Sequence, residues 1–118
     1  MQITSQDKVQ LIEQFADDMK AERIERLDVR EKTSVADFFV VCSGTSDTHV
    51  RSIAERVEEK MREKGIRPLR SEIGDSGWVL QDYGDVILNV MREEKRQFYD
   101  LESLWEGMAK NPDLLAED

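Results

Sequence analysis

Cysteine and histidine are nearly missing from this chain, and each absence removes a class of chemistry. With one cysteine, Cys42, no intrachain disulfide can form and no zinc site can be built on cysteines. With one histidine, His49, no multi-histidine metal centre is available. Long apolar runs are also lacking. None approaches the ~20 residues that a membrane-spanning helix needs. The N-terminal stretch is polar, without the apolar segment of a signal peptide. A soluble, cytoplasmic protein is therefore expected. Basic residues are in deficit, with 17 Lys and Arg against 26 Asp and Glu, a net charge of -9. That balance argues against broad gripping of nucleic-acid backbones, which takes clustered Lys and Arg. It suits a basic protein partner, and it equally suits a plain soluble protein.

What is present fits one domain. A chain of 118 residues buries about two thirds of its unfolded surface and folds without staples. Residues 1–118 are read as a single unit, with about 111–118 a frayed tail. There is no internal repeat, linker or low-complexity segment.

Ser5 and Asp7 suit the cap of a first helix through Lys20, with Val9, Ile12, Phe15, Ala16 and Met19 on its apolar face. Ile24 to Val29 reads as a strand. Asp37 to Ser43 holds a continuous apolar run, as in a strand buried on both faces. Ser43-Gly44-Thr45-Ser46-Asp47 breaks it and caps a helix from about Thr48 to Lys64. Val50, Ile53, Ala54, Val57 and Met61 form the stripe of that helix, and Gly65 stops it. Ile66 to Ser71 is a short strand that Pro68 pushes to an edge. After a polar turn at Gly74–Gly77, Trp78 to Asp82 and Val86 to Met91 make a hairpin. Arg92 to Arg96 is a charged connection. Phe98, Leu101, Leu104, Trp105 and Met108 follow helical spacing and predict a packed short helix. The order predicts an α/β fold with one mixed sheet of about five strands flanked by helices, containing a crossover from the second strand through a helix to the third.

Few residues are candidates for chemistry. Ser43-Gly44-Thr45-Ser46 sits where helix-start amides can bind an anion, but it lacks the second glycine and the Lys of a phosphate loop. A turn with helix caps is the simpler reading. His49 has no assured orienting carboxylate, and an exposed polar role is the default. Asp82 and Asp85 could share a metal, yet Asp-Tyr-Gly-Asp also meets the needs of a hairpin turn. Cys42 reads as a small buried hydrophobe. In the hairpin, strand alternation puts Trp78, Leu80 and Asp82 on one face and Val79 and Gln81 on the other. A Trp and an Asp on one face suit a contact surface, since aromatic residues anchor interfaces and an acid can meet Arg or Lys. Trp78 as plain core remains the equal alternative.

These residues together resemble the ribosomal silencing factor family, also called Iojap-like. The similarity runs from about Lys8 to Met108. It is carried by the Asp37–Ser46 run, the Gly77–Val86 hairpin and Phe98-Tyr99-Asp100-Leu101-Glu102-Ser103-Leu104-Trp105. The resemblance implies a non-enzymatic, cytoplasmic translation factor with no cofactor. Such factors bind the large ribosomal subunit through its protein L-fourteen, block subunit joining and lower translation when nutrients are scarce. It also implies a nucleotidyltransferase-like sheet, a homodimer, and Trp78, Asp82 and Tyr83 at the partner-binding surface. One departure stands out. Many members carry a His near Asn89 and an aromatic near Met91, where this chain has Asn89-Val90-Met91. The competing reading is a small nucleotide-binding or nucleotidyltransferase-like enzyme. It would need two or three metal-binding carboxylates on neighbouring strands, and no Asp-x-Asp pair follows the Gly-Ser turn.

Overall fold

A computed structural model describes residues 3–73 and 77–99, the last three by backbone alone. The elements are α1 (Ser5–Asp18), β1 (Glu22–Asp28), β2 (Phe38–Gly44), α2 (Asp47–Glu63), β3 (Arg70–Ile73), β4 (Trp78–Asp82), β5 (Val86–Arg92) and α3 (Glu93–Tyr99). The five strands form one mixed sheet in the order β1-β2-β5-β4-β3. Only β2 and β5 run parallel; the other neighbours are antiparallel.

Helix ends follow local chemistry. Thr4, one residue before the expected Ser5, caps α1 by accepting the Asp7 amide at 3.1 Å. Ser46 caps α2 through the His49 amide at 3.0 Å. Both helices end in the same device, in which two amides past the end bond back to the last turn. In α2 the Gly65 amide reaches the Arg62 carbonyl and the Ile66 amide reaches that of Met61, with Gly65 at φ +81°. In α1 the Lys20 amide reaches Asp17 and the Ala21 amide reaches Ala16, and here the left-handed position holds Lys20 at φ 60°.

The main core lies between the helices and one sheet face. It joins Val9, Ile12 and Phe15 of α1, Val50, Ile53, Val57 and Met61 of α2, and Val40, Cys42, Leu88 and Val90 of the central strands. Phe39, Val41, Ile87 and Met91 of those strands are buried on the opposite face. All of β2 is buried, as its apolar run requires. Gly44 permits the close approach of β2 to α2, because a Cβ there would lie 2.8 Å from the Val50 amide nitrogen.

Three expectations are corrected. First, the parallel neighbour of β2 is β5, not the third strand. α2 carries the chain to β3 at the far edge, and β4 and β5 then return, so that β5 fills the place beside β2. Second, β3 starts at Arg70, because Pro68 cannot donate to the ladder. Its edge position is as expected. Third, α3 begins at Glu93 rather than near Phe98, directly after β5. The packed helix expected over Phe98 to Met108 lies mostly outside the described residues. So do most of the turn at 74–77 and the tail at 111–118.

Candidate protein-contact site

The β4–β5 hairpin keeps the expected alternation. Trp78, Leu80 and Asp82 are half-buried, while Val79 and Gln81 between them are buried on the helix side. Trp78 lies opposite Met91 in the ladder and packs against Val41 and Met91. Its indole Nε1–H donates to Asn89 Oδ1 at 3.1 Å. Trp78 is thus neither plain core nor freely exposed. One side seals the sheet, and Asn89 fixes the ring's polar edge.

Asp82 ends the strand. Its Oδ1 accepts the Gly84 amide at 2.8 Å, a local turn that lets Gly84 take φ +92°. Its Oδ2 lies 3.7 Å from Arg70 Nε of β3. Asp85 turns elsewhere, meeting Lys8 Nζ of α1 at 2.8 Å. The two carboxylates therefore serve the turn and the first helix.

Tyr83 is not at the surface. Beyond Asp82 the chain reverses, alternation ends, and the ring drops into the main core at 3% exposure. Its hydroxyl donates to Gln81 Oε1 at 2.8 Å, and Gln81 Nε2 donates to the Ala54 carbonyl of α2 at 2.8 Å. Burial pushes the phenol pKa well above its ordinary value. Tyr83 and Gln81 tie the turn to α2, and that is how Tyr83 shapes the surface.

The remaining candidates have structural roles. Thr45 donates its amide to His49 Nδ1 at 2.9 Å, so this loop N–H is already engaged within the chain. His49 Nε2 lies 2.8 Å from the Met19 carbonyl. An amide can only donate and a carbonyl only accept, so the ring proton sits on Nε2 and both nitrogens are engaged. The half-buried ring, expected to be exposed, joins the end of α1 to the start of α2. Cys42 is fully buried, and burial pushes its thiol up to about 12, which leaves it a packing residue.

Sequence reasoning gives no structural role to Asn89 or Arg96. Asn89 is 2% exposed, and its place opposite Leu80 brings it beside Trp78. Arg96 of α3 is equally buried. It donates to the Arg23 carbonyl at 2.6 Å and to Ser43 Oγ at 3.1 Å, and meets Glu25 at 3.3 Å. It anchors α3 on β1 and β2. A charged run gives no sign that one member is buried, since its partners are distant in sequence.

Fold and hairpin together define an α/β domain with a five-stranded mixed sheet whose fourth strand carries a tethered Trp and a turn-forming Asp. Solved structures share that architecture. A crystal structure of a Chromobacterium violaceum protein, 33% identical, superposes with a TM-score of 0.85 and covers 88% of each chain. A family model described as "Ribosomal silencing factor during starvation" matches residues 2–117. Two of the similar curated proteins are named ribosomal silencing factor. That of Halalkalibacterium halodurans is 36% identical over 104 residues, 87% of this chain and 89% of the relative. That of Bacillus subtilis is 40% identical over 90 residues, 75% and 76% of the respective chains. The chain belongs to the ribosomal silencing factor family.

Proposed function

We propose that this chain regulates translation by binding the large ribosomal subunit through ribosomal protein L-fourteen and obstructing subunit joining, without catalysing a reaction. It acts in the cytoplasm, and it self-associates as a homodimer. Family membership supports a ribosome-associated role. The observation that carries the site is the shared face of Trp78 and Asp82 on β4, with the Trp78 ring held in place by Asn89. A held aromatic side chain loses little freedom on binding, which favours it as an anchor. The acidic balance of the chain suits a basic protein surface. Tyr83 contributes from beneath, by fixing the turn that presents Asp82. Among the described residues no helix is long and apolar enough to cross a membrane.

The test is co-sedimentation with purified large subunits, paired with a subunit-joining assay. Trp78→Ala removes an anchor whose truncation costs about 2 kcal/mol or more in binding, roughly a thirtyfold loss of affinity. It should also restore joining. A Trp78→Ala protein that stays folded and still binds with parental affinity would remove Trp78 from the contact.

A further inference from the structure

The two edges of the sheet are finished differently. The β1 edge is protected. A bulge lies between Glu22 and Glu25, Arg23 takes φ 49°, and Arg96 occupies the Arg23 carbonyl. Among the described residues the β3 edge has no such protection. All four of its residues are exposed, and two of the three large apolar side chains exposed among the described residues stand at its ends, Leu69 just before it at 76% and Ile73 as its last residue at 68%. Long exposed apolar groups beside unpaired strand backbone form a template for another strand.

The sequence of this edge selects what it fits. In an antiparallel pairing of two copies centred on Ser71, Arg70 faces the partner's Glu72 and Glu72 faces the partner's Arg70. Leu69 then faces the partner's Ile73, and Ile73 the partner's Leu69. The ion pair and the apolar pair each form twice, as two-fold symmetry requires. Other centres lose this match. Centring on Glu72 sets like charges against each other, and centring between Ser71 and Glu72 sets Arg70 against Ile73. In the single chain Arg70 reaches Glu72 only at 3.9 Å and Asp82 at 3.7 Å, and its side chain is 61% exposed, so it can be recruited. The edge is also locally neutral in a chain of net charge -9, which lowers the repulsion between copies where they touch.

We infer that β3 is the self-association surface of this chain, pairing antiparallel with β3 of a second copy about Ser71 to make one continuous ten-stranded sheet. This places on a named strand the homodimer included in the proposed function. The contact runs along the outer edge of β3, with Arg70 and Glu72 on the sheet face of Asp82 and Leu80 and with Trp78 itself outside the paired residues. A strand of four residues makes a small interface, so the dimer is reversible and concentration-dependent.

Sedimentation equilibrium over a wide concentration range tests it, with circular dichroism confirming the fold of each variant. The parent chain should shift from monomer to dimer as concentration rises. Leu69→Lys with Ile73→Lys should weaken that association about tenfold or more, since like charges then meet across the pair. Arg70→Glu alone should weaken it severalfold, and Arg70→Glu with Glu72→Arg should restore it, because the swap re-forms both ion pairs only in the Ser71 register. A parent that stays monomeric throughout, variants that associate like the parent, or a charge swap that fails to restore association would each overturn the assignment. Trp78→Ala should leave the dimer intact, and the Leu69 and Ile73 variants should keep co-sedimenting with large subunits. Failure of the dimer surface is thereby separated from failure of the ribosome contact.

Discussion

The indole of Trp78 and the side-chain amide of Asn89 are joined by one hydrogen bond of 3.1 Å, from β4 to its neighbour β5. Asn89 is buried at 2% exposure, so the bond is the means by which the sheet interior controls a half-buried aromatic ring. Asn89→Leu keeps the branched shape of the side chain and removes the acceptor. The indole N–H then loses its partner, at a cost of about 1–2 kcal/mol in stability. Chemical denaturation should show that loss, and large-subunit binding should weaken severalfold as the ring is released. Unchanged binding would mean that the orientation of Trp78 does not matter to the contact.

The two helix ends give opposite predictions from one geometry. Gly65 and Lys20 occupy the same left-handed position in equivalent caps. The conformation is strained for a residue with a Cβ and easy for glycine. Gly65→Ala should therefore destabilise the fold by about 1 kcal/mol, although open space surrounds its Cβ position. Lys20→Gly should stabilise it by up to about 1 kcal/mol, reduced by the extra freedom glycine gives the unfolded chain. Urea midpoints of the two variants should fall on opposite sides of the parent.

Glu93 sets a pH dependence. Burial opposes its charge. Hydrogen bonds from Ser43 Oγ, at 3.0 Å, and from the Arg23 guanidinium outweigh burial and hold the carboxyl below its ordinary value of 4.5. A group with a depressed folded pKa contributes stability that is full above its unfolded value and fades as pH falls toward the folded one. The docking of α3 should therefore loosen below about pH 4.5. Melting temperatures recorded from pH 6 downward should fall less steeply for Glu93→Gln than for the parent. Parallel curves would show that Glu93 contributes nothing to acid sensitivity.

Much of this architecture was legible in the chain because it depends on local period. The apolar stripe of α2, the doubly buried β2 and the shared face of Trp78 and Asp82 follow from 3.6-fold and two-fold spacing. Tyr83 departs from its expected surface position because alternation holds only within the strand, and the turn after Asp82 rotates the next side chain inward. The seat of β5 beside β2 has a signal in the sequence. Val86 to Met91 is nearly as apolar as Phe38 to Cys42, and a strand buried on both faces belongs in the middle of a sheet. Arg96 and Asn89 had no comparable signal. Their burial is compensated by Ser43, the Arg23 carbonyl and Trp78, and those pairings exist only after folding.

The parallel pairing of β2 with β5 also orders events in time. During synthesis, α1, β1, β2 and α2 are all made before Val86 to Arg92. Until then the buried run Phe38 to Gly44 has a partner on one side only. Loop closure over so long a stretch is slow, and an apolar strand waiting for its neighbour is open to wrong partners. A nascent chain stalled before Val86 should therefore be a client for chaperones, and release of the last central strand is the step that commits the molecule to its fold.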